Sequence, residues 1–279
     1  MIFKTVFSLH SLVVITMILF GLKFILKNKG LQEGDSFGVK IGNAQDKGAR
    51  KRQEDSFATI RDDNKTLVVV ADGMGGFNSG KKASKLVTKN FMEEFCRTYN
   101  MESKNYFLIN TLYDSNEKLL EILETERVGT TLIAALVDDN LLYWLSVGDS
   151  HLYLSRNQEL TKLNTDHIFA KELEKSYQVG EISRYRMLNH PQRERLVSYV
   201  GQSEIAELDY SYNPVELERG DRIMLCTDGI YNSLSEVEIS QLLGQTKGMQ
   251  QLAEEIVEEV LVKELPEQDN ATVIILEKD

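Results

Sequence analysis

The sequence predicts an α+β fold: a four-layer α-β-β-α sandwich of two mostly antiparallel sheets flanked by helix pairs, preceded by an N-terminal hydrophobic helix. Three observations predict it. The elements read as strands, a helix pair, strands, a second helix pair and a last strand, which is not the strict alternation of a doubly wound sheet. Two sheets packed together, with a helix pair on each outer face, would bury every apolar face that this order creates. The chain has 279 residues and 42% hydrophobic residues, enough to build one large core.

The first segment stands apart. Thr5 to Leu22 carries no formal charge and is mostly apolar, densest at Leu12–Ile15 and Met17–Phe20. As a helix at about 1.5 Å per residue it would span roughly 27 Å, just enough for a bilayer core. Lys23, Lys27 and Lys29 follow it and only Lys4 precedes it, a bias that places the following bulk in the cytoplasm. The expectation is therefore an anchor over residues 1–27, a polar tether over 28–36 and one globular unit over 37–279. A cleaved signal peptide would need a small-x-small site, which does not follow the apolar stretch; a buried or amphipathic helix is the other reading.

Within the globular unit, short β-rich runs cover Ser56–Arg61 and Thr66–Ala71, each bounded by polar or glycine positions. Ser79–Tyr99 spaces Ala83, Leu86, Val87, Phe91 and Phe95 as a helix does, and Asn105–Thr125 does the same with Phe107, Leu108, Leu112, Leu119, Ile122 and Leu123. Strands return at Thr130–Val137, Leu141–Val147 and Leu152–Ser155. A polar, helix-capable insertion covers His167–His190, and a strand covers Arg222–Cys226. Helices at Glu236–Leu243 and Met249–Lys263 precede a last strand, Ala271–Glu277.

The 32 Lys and Arg against 43 Asp and Glu leave a net charge of −11. That field repels phosphate backbones and argues against a nucleic-acid partner. Cys96 and Cys226 make neither a disulfide framework nor a cysteine zinc site. Neither sits in a Cys-x₅-Arg loop, and Cys226 falls in an apolar strand as packing.

The chemistry gathers in acidic residues where strands end. Glu54–Asp55 precedes one strand, Asp72–Gly73–Met74–Gly75–Gly76 follows another, Thr227–Asp228–Gly229 follows a third, and Gln268–Asp269–Asn270 leads into the last. A carboxylate at the rim of a buried strand is held rigidly and still faces solvent, as a metal site requires. All-oxygen ligands suit Mg²⁺ or Mn²⁺ rather than zinc. A single Asp-Gly is usually only a turn; the ordered set of four is the signal.

Those motifs, with Gly48–Ser56, Gly129–Thr130–Thr131, Val147–Gly148–Asp149–Ser150, Asn164–Thr165–Asp166–His167, His190–Pro191–Gln192–Arg193 and Asp269–Asn270–Ala271–Thr272, resemble the metal-dependent protein phosphatases. The likeness is to the type 2C serine/threonine family in its bacterial form, and it covers residues 37 to 277. The resemblance implies a β-sandwich with a two-metal Mn²⁺ or Mg²⁺ centre at one end. Asp72 would bridge the metals, and Asp228 and Asp269 would complete one site. The Gly73 carbonyl and Glu54 or Asp55 would serve the other, and Asp149 a further, weaker ion. Arg50 would grip the substrate phosphate, with Arg52 as a neighbouring competitor. The two ions would share a bridging water and aim its hydroxide at phosphorus. Phosphorylated proteins, targets of a serine/threonine kinase, would be the substrates.

Met74 stands where many eukaryotic members carry a histidine that protonates the leaving group, so the acid is unassigned. His167 is a candidate, although such a histidine is more often structural. His151 replaces a usual arginine and Gln53 a usual asparagine. Two other classes compete: a catalytically silent pseudophosphatase acting as a binding module, which should have lost a ligand, and a two-metal nuclease, against which the acidic field weighs.

Overall fold

A computed structural model describes residues 38–75, 79–98, 103–122 and 128–279. The segments read as anchor and tether lie outside the described residues. Among those described, no helix is long and apolar enough to cross a membrane. Residues Gly38–Asp279 form a compact unit.

The strands are β1 (Val39–Asp46), β2 (Ser56–Asp62), β3 (Lys65–Ala71), β4 (Gly73–Met74), β5 (Gly129–Thr130), β6 (Leu132–Asp138), β7 (Leu141–Val147), β8 (His151–Arg156), β9 (Glu159–Lys162), β10 (Asp209–Tyr210), β11 (Val215–Glu216), β12 (Arg222–Cys226) and β13 (Ala271–Lys278). The helices are α1 (Ser79–Arg97), α2 (Lys104–Ile122), α3 (Ala170–Gln178), α4 (Arg184–Leu188), α5 (Asp228–Tyr231), α6 (Glu236–Leu243) and α7 (Met249–Val262). One sheet runs β1-β13-β12-β8-β9 and the other β10-β7-β6-β3-β2, with β11 also on β7. Every ladder is antiparallel.

Period-two alternation builds the layers. Val68 and Val70 of β3, Ile133 and Ala135 of β6, Ile223 and Leu225 of β12, and Ile274 and Leu276 of β13 fill the space between the sheets. Their neighbours face outward. Leu67, Val69, Leu132 and Ala134 pack under α1 and α2, whereas Met224, Cys226, Val273 and Ile275 pack under α6 and α7. Strands covered on both faces read as unbroken apolar runs. Burying each Leu, Ile, Val or Phe contributes about 1.5–3 kcal/mol.

Three departures from the sequence expectation matter for the site. The first strand, β1, lies before Ser56, where the sequence pattern predicts none. It pairs with β13 from Val39↔Lys278 to Asp46↔Ala271, and α7 crosses it so closely that a Cβ on Gly42 would lie 2.0 Å from the Met249 carbonyl oxygen. The expected strand Thr130–Val137 is broken at Thr131, whose N–H bonds the Asp72 carbonyl at 2.9 Å instead of a ladder partner. The one-turn helix α5 had no periodicity to reveal it, and it carries Asp228.

Candidate active site

The ends of β3, β7 and β12 and the starts of β2 and β13 converge on one pole of the sandwich. A cleft of about 1140 Å³ opens there, lined by Arg50, Glu54, Asp72, Gly73, Asp149, Asp228 and Asp269 among others. Of the residues expected to hold metal or phosphate, Asp55 alone is not in its wall, and the candidate acid His167 is not in it either. Asp55 is buried behind it.

Each carboxylate is fixed by backbone that has partners on both sides. The Asp72 N–H donates to Thr131 Oγ1 (2.9 Å), and its carbonyl accepts from Thr130 Oγ1 (2.7 Å) and the Thr131 N–H (2.9 Å). Gly73 fits because its neighbours leave no room: an added Cβ would lie 2.2 Å from the Gly80 carbonyl oxygen in the first turn of α1. Asp228 begins α5, and Gly229 allows that turn to press on β13, a Cβ there meeting the Asn270 carbonyl at 2.1 Å. Asp269 therefore lies beside Asp228. Its Oδ1 accepts from the Asn270 N–H at 2.7 Å, and its Oδ2 pairs with Arg50 Nη2 at 2.5 Å. The arginine expected on substrate phosphate thus serves here as counter-ion to an expected metal ligand.

Asn270 ties the site together. Its Oδ1 accepts from the Glu54 N–H at 2.7 Å, and its Nδ2 donates to the carbonyls of Lys47 and Arg52, both at 2.9 Å. Thr227 and Thr272 donate to Asp55 Oδ2 at 2.9 and 2.6 Å. These three residues stood inside the quoted motifs without a role; their partners are far away in sequence, so spacing could not assign one.

The carboxylates conflict electrostatically. Burial, and then the charges of Asp228 and Asp269, push Asp55 up to about 7 against its two threonine hydrogen bonds. Burial and Asp228 push Asp149 to about 7, while burial and Asp269 push Asp228 to about 6. Asp72 is raised well above the usual range by burial and by Asp55, Asp228, Asp149 and Asp269. Asp55 Oδ1 and Asp228 Oδ1 are sealed from solvent without a hydrogen-bond partner. An unpartnered buried carboxylate oxygen is costly, and a divalent cation would relieve both. Among the described residues no three His, Cys, Asp or Glu groups are already drawn into a cation-holding cluster; the carboxylates ring the cleft, as mutually repelling charges do. The all-oxygen donor set fits a hard divalent ion.

Two histidines fall outside the cleft wall. His167 is buried, and its Nδ1 accepts the Gly148 N–H at 3.0 Å, so it holds the Val147–Ser150 turn. His151 stacks on Tyr231 of α5 with ring centroids 3.6 Å apart. Its Nδ1 meets the Tyr153 hydroxyl at 2.8 Å, and its Nε2 lies 3.0 Å from Asp166, which Lys162 also holds. This buried network braces α5, and with it Asp228, from below.

A family model described as Protein phosphatase 2C matches residues 47–266. The serine/threonine phosphatase stp of Listeria monocytogenes is 30% identical over 238 residues, covering 82% of this chain and 92% of the relative. The Streptococcus agalactiae serine/threonine phosphatase superposes with a TM-score of 0.77 over 86% of this chain and 100% of its own at 24% identity, a likeness of fold. The catalytic domain of the serine/threonine phosphatase PstP, solved in complex with 2 manganese ions, superposes with a TM-score of 0.67 at 26% identity, over 86% of this chain and 97% of its own. With a family model spanning most of its length, the chain belongs to the protein phosphatase 2C family.

Proposed function

We propose that the protein is a metal-dependent serine/threonine phosphatase that hydrolyses phosphoserine and phosphothreonine in proteins. The observation that carries this reading is the ring of carboxylates in one cleft, two of them with sealed, unpartnered oxygens, beside Arg50. Asp72, Asp228 and Asp269 with Glu54 or Asp55 and the Gly73 carbonyl would hold two Mn²⁺ or Mg²⁺ ions, and Asp149 would serve a third, weaker one. Such ions, when bound, lower the pKa of water and offset phosphoryl charge. The chain's own residues explain why they are required: a phosphate dianion cannot approach this many carboxylates unless their charge is compensated. Once Asp269 is engaged elsewhere, Arg50 is free to present its planar guanidinium to two phosphate oxygens. Thr227 and Thr272 hold Asp55 in one orientation through two hydrogen bonds to its Oδ2. Among the described residues no side chain of the cleft wall is a histidine.

In the same reading, residues 1–27 anchor the protein in the membrane and residues 37–279 work in the cytoplasm against a serine/threonine kinase. The uncharged stretch Thr5–Leu22 and the lysines after it support this. Membrane fractionation with protease accessibility tests it, and a domain exposed outside the cytoplasm would overturn it.

The catalytic reading is tested with the full chain, stripped of metal, acting on a phosphothreonine peptide. Phosphate release should require Mn²⁺ or Mg²⁺ and fall by roughly 100-fold or more in Asp72→Asn and Asp228→Asn, since loss even of outer partners of a metal ligand costs about 10–100-fold. Cleavage of bis-esters in preference to the peptide would favour a nuclease. A folded protein that releases nothing with any metal would favour the pseudophosphatase.

A further inference from the structure

The rim of the cleft is opposite in charge to its floor. Glu54, Asp72, Asp149, Asp228 and Asp269 make the floor, whereas Lys51, Arg52 and Arg195 stand at the edge and are exposed. Arg50 is engaged by Asp269. The rim carboxylate Glu194 is held by Arg193 at 3.2 Å. Among the described residues Lys51, Arg52 and Arg195 have no such carboxylate partner. In a chain of net charge −11, unpaired cations at the mouth of this acid-floored cleft are a local reversal of field, of the kind that draws in anions.

These cations are carried on anchored backbone. The turn before β2 is tied by the Ala49 N–H to the Gln268 carbonyl (2.9 Å) and by Asn270 to the carbonyls of Lys47 and Arg52. Arg195 lies over the Phe169 ring, 5.2 Å from its centroid. Its carbonyl accepts the Phe169 N–H at 2.9 Å, and an Ile168–Leu196 bridge closes the same segment. Fixed positions lower the ordering cost of binding. The reacting phosphate belongs to the floor and Arg50, so Lys51, Arg52 and Arg195 are left to meet residues on either side of it.

We propose that this rim selects phosphopeptides whose phosphorylated residue is flanked by aspartate or glutamate, with Lys51, Arg52 and Arg195 as the specificity determinants. The inference rests on the phosphatase reading above. It is tested on the full chain with Mn²⁺ and three phosphothreonine peptides that differ only in carrying Glu, Gln or Lys at the flanking positions. The Glu peptide should exceed the Lys peptide in kcat/KM by about tenfold, the combined effect of two or three exposed ion pairs. The difference should lie in KM and shrink as salt rises from about 0.05 to about 0.5 M. A double Lys51→Glu, Arg52→Glu variant should bring the ratio near one or invert it. Arg195→Gln should lower it as well, with a thermal melt separating lost charge from lost packing on Phe169. Equal kcat/KM for the three peptides, or a preference that survives the charge reversal, would overturn the rim proposal alone. Hydrolysis of none of them by folded, metal-loaded protein would overturn it together with the phosphatase reading.

Discussion

Asp55 shows how single residues here are set against the stability of the metal-free protein. Its carboxyl is buried, accepts two threonine hydrogen bonds at one oxygen and has nothing at the other. With Asp149, Asp228 and Asp72 it belongs to a group whose proton affinity is raised by folding. The sign follows from proton binding. Between the ordinary carboxylate value of about 4 and the folded values of about 7 for Asp55 and Asp149 and about 6 for Asp228, the native state holds protons that the unfolded chain has released, and Asp72 acts in the same direction. The stability these groups contribute is therefore complete below about pH 4 and is lost as pH rises through 6–7. The melting temperature of metal-stripped protein should fall between about pH 5 and pH 8, and Mn²⁺ should restore more of it at pH 8 than at pH 5. A melting temperature that rises over this interval without metal would contradict the arrangement. The acidic residues were legible in the sequence because they stand at the ends of apolar runs, with Asp72, Asp149 and Asp228 beside glycine and Asp269 beside asparagine, and Glu54–Asp55 directly before a strand. The residues that hold them were not: Thr272 reaches Asp55 across 217 positions, and Arg195 stands in no motif that marks a cleft.

At the scale of elements, legibility followed periodicity. The strands Leu141–Val147 and Arg222–Cys226 are continuous apolar runs, and helix Glu236–Leu243 opens on a Ser235–Glu238 capping box, so their expected bounds coincide with the structure. Two-residue strands such as β10 and β11 and the single turn α5 are too short to show a period. β1 is long enough, but Gly42, Asn43 and Gln45 interrupt its alternation. Gly42 is there because α7 leaves no space for a side chain. Gly42→Ala should therefore destabilise the protein by roughly 1–3 kcal/mol through overpacking against backbone, measured by denaturant unfolding. Ile274→Ala, between the sheets, should cost about 2–5 kcal/mol through the cavity it leaves. A loss under about 0.5 kcal/mol at either position would mean that these layers do not pack as described.

The whole domain has two poles. The carboxylates collect where β1 ends and β13 begins, whereas residues 38 and 279 meet at the other end, the Asp279 N–H donating to the Gly38 carbonyl at 3.1 Å. The β2–β3 hairpin also turns there, at Asp63–Asn64, far from the cleft. A variant in which a short linker joins 279 to 38 and the chain is opened at Asp63–Asn64 should fold and keep kcat/KM within about threefold, because exposed hairpin tips tolerate new ends. Opening it instead within the turn 47–53 should abolish activity, since that turn carries Arg50 and is bolted to Asn270. The pairing of β1 with β13 also sets an order in time. β1 leaves the ribosome first among the described strands, and its partner leaves last. Sheet β1-β13-β12-β8-β9 is then the later of the two to complete, and a nascent chain halted before residue 271 would display β1 as an open edge with Asp55 still without Thr272.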